Sequence, residues 1–125
     1  MTRILIVEDE QVILDMITAH LTIFGYDIVA ATDGVQALLL AKSVNPDVIL
    51  MDMGLPKLNG WQTTQRLRAR ADTAHIPIIA LTAYALDDDR KRALGIGCDA
   101  FEPKPIDFTS LLATIEVLVA RSSTQ

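Results

Sequence analysis

The sequence predicts a doubly wound α/β fold, a parallel sheet with helices on both of its faces. Short apolar runs alternate along the chain with longer segments of helical periodicity, and the runs are rich in Ile and Val without strict alternation of apolar and polar residues. Such runs are typical of parallel strands that are buried on both faces. Five of them alternate with five helical segments, and right-handed crossovers then place helices on both faces of the sheet.

The five predicted strands are short. They cover residues 4–7, 26–31, 48–51, 76–81 and 100–101. Pro46 comes just before the third strand and separates it from the preceding helical segment, because proline does not continue a helix.

The five predicted helices cover residues 10–24, 34–44, 59–70, 87–95 and 107–121. In the first of them Ile13, Ile17, Leu21 and Phe24 recur at helical spacing and form one apolar stripe. Gly25 is expected to end this helix, and Asp107 is expected to cap the last one. The fourth helix begins with three aspartates that are followed by three basic residues. The helix dipole favours that order, and we expect a solvated helix there.

Composition and charge exclude several classes of function. A chain of 125 residues, half of them hydrophobic, fits one globular domain. Its net charge of -5 argues against a nucleic-acid partner bound through a basic face. The single cysteine, Cys98, cannot form an internal disulfide, and no apolar run approaches the roughly 20 residues that cross a bilayer. We therefore expect a cytoplasmic protein that binds neither nucleic acid nor membrane.

Polar residues follow four of the predicted strands. Glu8 and Asp9 follow the first strand, Asp52 the third, Thr82 the fourth, and Lys104 the fifth. Open α/β sheets bind ligands beyond the carboxyl ends of their strands, so these side chains are expected to share one crevice. Each residue alone has an ordinary explanation as a helix cap, a turn residue or a solvated charge. Their joint occurrence at matching strand ends predicts a functional site.

The turn after the first strand decides what this crevice can bind. Its sequence, VEDEQV, has two or three negative charges and no glycine, so it would repel the bare phosphate that a nucleotide-binding turn accepts. Grouped acids suit Mg²⁺, and Asp9 and Asp52, with Glu8 acting directly or through water, supply oxygen ligands. A carboxylate beside that metal can act as a nucleophile and take a phosphoryl group. Lys104 and Thr82 would then bind the phosphoryl oxygens.

The residues of this crevice lie in segments that resemble a bacterial response-regulator receiver domain of two-component signalling. The resemblance is to the stand-alone type found among chemotaxis and cell-cycle regulators. The matching segments are ILIVEDE, PDVILMDMGLPKLNG, IPIIALTA and GCDAFEPKP. The resemblance implies a flavodoxin-like five-stranded sheet in the order 2-1-3-4-5. It also implies a receiver domain over residues 1–121, a frayed tail at residues 122–125, and no output domain in this chain.

The resemblance implies that Asp52 is the phosphoacceptor. Glu8 and Asp9 would hold Mg²⁺ together with Asp52, and the backbone carbonyl of Gly54 would be a further ligand. Mn²⁺ would substitute for Mg²⁺. The chain would be a signalling phosphoacceptor and not an enzyme, since it would catalyse only its own phosphorylation and slow dephosphorylation.

The same resemblance implies a switch. Thr82 would be the switch hydroxyl that moves towards the phosphoryl group, and Phe101 would be the aromatic residue that turns inwards with it. Lys104 would bind the phosphoryl group, and the Lys104–Pro105 peptide bond is expected to be cis. Two positions lead to the hypothesis of slow self-dephosphorylation. Gly54 lies two positions beyond the acceptor, where the family often has a polar side chain that helps to orient the hydrolytic water. Tyr84, two positions beyond Thr82, is bulky enough to shield the phosphoryl group.

The implied partners are proteins. The phosphoryl donor would be a phosphohistidine on a sensor histidine kinase or on a histidine phosphotransfer protein, and the signal would pass to a separate, unidentified target protein. The last helix has an apolar stripe at helical spacing, formed by Phe108, Leu112, Ile115 and Val119. It carries Leu111, Val117 and Leu118 beyond this stripe. These residues reflect either ordinary burial or a surface for the target or for a phosphorylation-dependent homodimer.

Two other functions remain open from the sequence. The first is a receiver-like interaction module that is never phosphorylated. Such modules usually lack one of the acids, the threonine or the lysine, all of which this chain keeps. The second is a small phosphohydrolase of the haloacid-dehalogenase type. That class needs a second Asp two positions after its nucleophile, where this chain has Gly54.

Three ring-bearing side chains outside these motifs have structural interpretations. Trp61 begins the third helix and is expected to pack in the core or at its rim, because a binding hot spot would need more than one aromatic residue. His20 lies on the first helix and His75 before the fourth strand, and neither has a neighbour that indicates catalysis. We expect both histidines to be structural.

Overall fold

The computed structural model describes residues 1–83 and 87–123, in which strands and helices alternate. The strands are β1 (Arg3–Val7), β2 (Asp27–Ala31), β3 (Val48–Asp52), β4 (Ile78–Thr82) and β5 (Ala100–Pro103). The helices are α1 (Gln11–Ile23), α2 (Gly34–Val44), α3 (Gly60–Ala69), α4 (Asp87–Gly95) and α5 (Phe108–Ser123). The strands form one parallel sheet in the order β2-β1-β3-β4-β5. The predicted fold class and strand order are confirmed.

The sheet separates two apolar cores. Successive strand residues point to opposite faces, so in β1 Leu5 and Val7 join one cluster while Ile4 and Ile6 join the other. The first cluster contains buried residues of α2, α3 and α4, and the second contains those of α1 and α5. All five residues of β3 are buried, which explains why its sequence shows an uninterrupted apolar run that ends on Asp52.

Side-chain caps fix where several helices begin. Asp33 accepts a hydrogen bond of 2.8 Å from the backbone N–H of Gln36 at the start of α2. At α3, Asn59 accepts from the backbone N–H of Gln62, and the Gln62 side chain accepts from the backbone N–H of Asn59. Asp107 accepts from two backbone N–H groups in the first turn of α5. The prediction of Asp107 as a helix cap is therefore confirmed.

Most predicted boundaries lie within two residues of the observed ones. Gly25 follows the end of α1 with φ +86°, a left-handed value that glycine adopts readily, so the predicted stop of this helix is confirmed. β4 begins at Ile78 and not at residue 76. β5 continues to Pro103, two residues beyond the predicted end.

The burial of Leu111, Val117 and Leu118 on α5 distinguishes core residues from surface residues. Leu111 and Leu118 are buried, whereas the Val117 side chain is 52% exposed. Ordinary burial therefore explains two of these three apolar residues. Within the ranges 1–83 and 87–123, none of the helices combines the length and the hydrophobicity of a transmembrane span.

Trp61 and His20 both have packing roles. The half-buried Trp61 side chain packs against the first apolar cluster. The His20 ring stacks on the Phe108 ring, with centroids 3.7 Å apart and planes 5° apart, and so it links α1 to α5. These contacts agree with the structural interpretations of the two residues.

Candidate functional site

A cleft of ≈230 Å³ opens at the carboxyl edge of the sheet, beside the ends of β1, β3, β4 and β5. Asp9, Asp52, Gly54, Thr82 and Lys104 are among the residues that line it. The side chains that follow four different strands thus meet in one place, because the carboxyl ends of parallel strands lie at the same edge of the sheet.

Three carboxylates are crowded at this cleft. Glu8, Asp9 and Asp52 each contribute an oxygen atom, and these atoms all lie within 4.8 Å of one another. Glu8 is completely buried and Asp52 is 6% exposed, whereas Asp9 is exposed. The backbone N–H of Gly54 donates a 3.1 Å hydrogen bond to Asp52 Oδ1 and orients that carboxylate. Like charges repel strongly where water is excluded, so such a cluster requires positive charge or protons nearby.

Lys104 supplies one positive charge to the cluster. Its Nζ lies 2.7 Å from Glu8 Oε1 and 3.4 Å from Asp52 Oδ1, and its side chain is 16% exposed. The backbone N–H of Lys104 donates a 2.8 Å hydrogen bond to the carbonyl oxygen of Thr82, which ties the end of β5 to the end of β4. The Lys104–Pro105 peptide bond is cis. One ammonium group therefore contacts two of the three carboxylates of the cluster.

The pKa values of Glu8 and Lys104 are both raised. Burial is the main cause that raises the pKa of Glu8, and the charge of Asp52 adds to it. The hydrogen bond from Lys104 acts in the opposite direction, and the resulting pKa is about 7. Burial opposes the charged form of Lys104, but the hydrogen bond to Glu8 and the charge of Asp52 outweigh burial and raise the pKa of Lys104. Glu8 therefore keeps its proton to a higher pH than an exposed glutamate does.

The donor set fits a hard divalent cation such as Mg²⁺. All of the candidate ligands are oxygen atoms, the ligand type that hard divalent cations prefer. Glu8 Oε1 already contacts Lys104, and Glu8 Oε2 accepts a 3.3 Å hydrogen bond from the backbone N–H of Glu10. Asp9 and Asp52 are therefore better placed than Glu8 for direct coordination.

The predicted switch residues occupy the expected elements. Thr82 is the last residue of β4, is 4% exposed, and lines the cleft. Phe101 is half-buried in β5, is in register with Ala80, and packs against the first apolar cluster. Their roles as switch residues stay predictions, as does metal coordination by the Gly54 carbonyl. Tyr84, which was predicted to shield a phosphoryl group, lies outside the described residues.

An apolar groove of ≈140 Å³ lies next to the cleft, between α1 and the segment that joins β5 to α5. The residues that line it are Ile13, Met16, Ile17, Lys104, Pro105, Ile106 and Phe108. Lys104 belongs to both the groove and the cleft, so a molecule seated in the groove would be adjacent to the carboxylates.

The sequence did not predict a second cavity beside the cleft. This cavity has a volume of ≈200 Å³, and its lining includes Trp61 and Arg92 together with Gly54 and Thr82. The guanidinium carbon of Arg92 lies 4.1 Å from the centroid of the Trp61 ring. No local sequence pattern pairs these two residues, because their contact depends on how α3 and α4 are placed relative to each other.

The chain is similar to known proteins over nearly its whole length. A family model described as the response regulator receiver domain matches residues 4–116. The chain is 38% identical over 122 residues to the DNA-binding dual master transcriptional regulator RpaA of Synechocystis sp.. This alignment covers 98% of the chain and 51% of RpaA. It is 35% identical over 113 residues to the polar-differentiation response regulator DivK of Brucella ovis. This alignment covers 90% of the chain and 92% of DivK. The chain thus spans about half the length of RpaA and nearly all of DivK.

A solved structure with similar sequence and fold contains a metal ion. It is the receiver domain of the sensor histidine kinase PA1611 from Pseudomonas aeruginosa PAO1, with a TM-score of 0.88 and 37% sequence identity. The match covers 95% of this chain and 98% of that one. In the PA1611 domain a magnesium ion is coordinated in the active-site cleft.

Proposed function

This chain belongs to the response regulator receiver domain family, and from that premise we propose that it is a phosphorylation switch of two-component signalling in which Asp52 accepts the phosphoryl group. One observation carries the proposal: Asp52 ends a buried strand inside a cluster of acids, and Lys104 Nζ lies 3.4 Å from its Oδ1. A nucleophilic carboxylate and a cation that can bind the transferred group are thus adjacent.

Mg²⁺ is the cofactor in this proposal. Asp9 and Asp52 would hold it, with Glu8 acting directly or through water and the Gly54 carbonyl as a further ligand, and Mn²⁺ would substitute. Bound there, the metal would offset the negative charge of the carboxylates and of the incoming phosphoryl oxygens. The oxygen-only donor set and the magnesium ion in the PA1611 cleft support this assignment.

The transfer step needs little covalent chemistry from the protein. A carboxylate oxygen of Asp52 attacks the phosphorus atom of a phosphohistidine and forms an O–P bond. The N–P bond breaks, and its electron pair stays with the imidazole, which takes up a proton. Lys104 binds one oxygen of the transferred group and the Thr82 hydroxyl binds another. Catalysis then consists of positioning and charge stabilisation.

Phosphorylation would shift an existing equilibrium between two packings of the region around β4, α4 and β5. A phosphoryl group that pairs with Thr82 and Lys104 better in one packing than in the other favours that packing. Inward movement of the half-buried Phe101 would accompany it. A separate target protein, or a second copy of the chain, would bind the phosphorylated form, and light scattering with and without phosphodonor distinguishes these two cases.

Intact mass measurement after incubation with acetyl phosphate and MgCl₂ tests the phosphoacceptor. We expect a gain of one phosphoryl group that is absent in Asp52→Asn and when EDTA replaces MgCl₂. Asp15→Asn, which removes an exposed acid of α1, should still be phosphorylated. No uptake by the unmodified chain would favour an interaction module that is never phosphorylated, and continuous turnover of a small phosphoester would favour a phosphohydrolase.

The groove beside the cleft would receive the phosphohistidine-bearing protein. Its apolar lining suits apolar side chains of a donor helix, and Lys104 at its rim places the donor next to Asp52. Met16→Glu should slow transfer from a phosphohistidine protein but not from acetyl phosphate. Val35→Glu is the matched control, since Val35 on α2 is 48% exposed and Met16 is 50% exposed. Equal effects of the two substitutions would argue against this docking site.

A further inference from the structure

The contact between Trp61 and Arg92 joins two helices at the rim of the cleft. Trp61 lies in the first turn of α3, half-buried against the first apolar cluster, and Arg92 is an exposed residue of α4. The guanidinium carbon lies 4.1 Å from the ring centroid, well inside the range of a cation–π interaction.

Trp61 is held rigidly to the acceptor strand. The backbone N–H of the preceding residue, Gly60, donates a 3.2 Å hydrogen bond to the carbonyl oxygen of Met53, which follows Asp52 directly. An ideal Cβ on Gly60 would lie 2.5 Å from the carbonyl oxygen of Asp52, so the two backbones are in close contact. The start of α3, and with it the backbone of Trp61, is therefore held close to the phosphoacceptor.

Helix α4, in contrast, has few buried contacts. Among its described side chains, Ala93 is the one that is buried, while Arg90, Lys91 and Arg92 are exposed and Leu94 is 42% exposed. A helix that buries one alanine gains little from apolar packing. The stacking of Arg92 on Trp61 is therefore a side-chain contact that adds to this limited apolar packing and joins α4 to α3.

The cavity beside this contact connects it to the site. Its lining includes Gly54 and Thr82, which also line the acceptor cleft. We propose that the Trp61–Arg92 contact restrains α4 in the unphosphorylated packing and so sets how readily the domain switches. The effect on switching rests on the proposed function. The restraint on α4 does not, since it concerns the unphosphorylated protein.

A cation–π interaction at an exposed site changes an equilibrium constant by about two- to fivefold. Loss of the contact should therefore raise the population of the alternative α4 packing by that factor. Hydrogen exchange of the α4 amides, measured on the unphosphorylated protein, should be about two- to fivefold faster in Arg92→Gln. Arg90→Gln is the control, because it removes the same charge from the same exposed helix, and the described residues include no aromatic ring stacked on Arg90.

The sole tryptophan gives a second measurement on the same variants. Arg92→Gln should change the emission spectrum of Trp61 in the unphosphorylated protein, and Arg90→Gln should not. Trp61→Leu should make the α4 amides exchange faster. Trp61→Phe keeps an aromatic ring and should retain most of the protection from exchange. If Arg92→Gln and Arg90→Gln give the same exchange rates and the same emission, the proposed restraint is wrong.

The rate of phosphoryl uptake tests the link to switching. With acetyl phosphate and MgCl₂, Arg92→Gln should be phosphorylated about two- to fivefold faster than the unmodified chain and than Arg90→Gln. An unchanged or slower rate alongside faster exchange would refute the link while leaving the restraint itself. If the unmodified chain takes up no phosphoryl group, the proposed function fails, and the exchange comparison still decides whether the contact restrains α4.

Discussion

The ammonium group of Lys104 lies 2.7 Å from the carboxylate of the fully buried Glu8 and joins the ends of β5 and β1. These strands are separated in the sheet by β3 and β4, so the ion pair spans the cleft from one side to the other. It also passes close to the acceptor, since the same Nζ is 3.4 Å from Asp52 Oδ1. The pair therefore positions the cation that is proposed to bind the phosphoryl group.

Lys104→Gln should destabilise the domain in a pH-dependent manner. Removing one partner of a buried ion pair costs about 3–5 kcal/mol, and the partial exposure of Lys104 places this case near or below the lower end of that range. At pH 8 Glu8 would lose the cation that balances its charge, whereas at pH 5 it is protonated. Urea unfolding in EDTA should show a large loss of stability at pH 8 and a small one at pH 5.

The exposed Lys91 of α4 provides the control for this substitution. Lys91→Gln makes the same change of charge at an exposed position, and none of the described residues forms a buried ion pair with Lys91, so it should leave the unfolding midpoint unchanged at both pH values. An equal loss of stability for Lys104→Gln at pH 5 and pH 8 would contradict a role of the ion pair.

The metal-free domain should become less stable as the pH rises from about 4.5 to about 7. The pKa of Glu8 is 4.5 in an unfolded chain and about 7 in the fold, so the folded state binds more protons in this interval. Stability then falls with rising pH, by an amount on the order of 3 kcal/mol at 1.36 kcal/mol per pKa unit. Urea midpoints measured in EDTA across this interval test the sign of the slope.

Glu8→Gln should remove most of this pH dependence, because glutamine does not titrate. Glu10→Gln serves as the matched control, since Glu10 is exposed two residues away and should retain the slope of the unmodified chain. A stability that rises between pH 5 and pH 7 in EDTA would show that the pKa of Glu8 is not raised in the fold.

Much of the fold could be predicted because the central strands β1, β3 and β4 each contain a continuous apolar run. The end of β5 could not, since Glu102 interrupts the apolar run of that strand and a charged residue usually marks the end of a buried strand. In the structure Glu102 is 6% exposed, and its carboxylate accepts hydrogen bonds from the hydroxyl groups of Ser110 and Thr114 in α5. These partners satisfy the buried acid, and only the packing of α5 on β5 reveals them.

The residues of the candidate site could also be predicted in part. The rule that parallel strands bring their carboxyl ends together predicts that Asp9, Asp52 and Lys104 share one cleft. It does not predict which acid pairs with Lys104, since that depends on distances of a few ångströms and on burial. The contact between Trp61 and Arg92 depends on the relative placement of two helices, which no local pattern encodes.

Mg²⁺ should stabilise the domain through Asp9 and Asp52. A ligand that binds only the folded state at 100 times its Kd adds about 2.7 kcal/mol to the free energy of unfolding. Asp9→Asn should abolish most of the increase in Tm that MgCl₂ causes at pH 8. It should also raise the Tm in EDTA, because it removes one of three mutually repelling carboxylates. Glu10→Gln should preserve the response to MgCl₂, and a normal response of Asp9→Asn would rule Asp9 out as a ligand.

The close approach of Gly60 to the acceptor strand predicts that a single methyl group there impairs both stability and phosphorylation. An ideal Cβ would lie 2.5 Å from the Asp52 carbonyl oxygen and 2.5 Å from Met53 Cα, and both are backbone atoms that cannot rotate away. Gly60→Ala should therefore cost about 1–3 kcal/mol and slow phosphoryl uptake from acetyl phosphate, because Asp52 must shift. At Gly95 an added Cβ meets nothing within 4 Å, so Gly95→Ala should keep the uptake rate and leave stability unchanged or slightly higher. Normal phosphorylation of a folded Gly60→Ala variant would show that the acceptor tolerates displacement of its strand end.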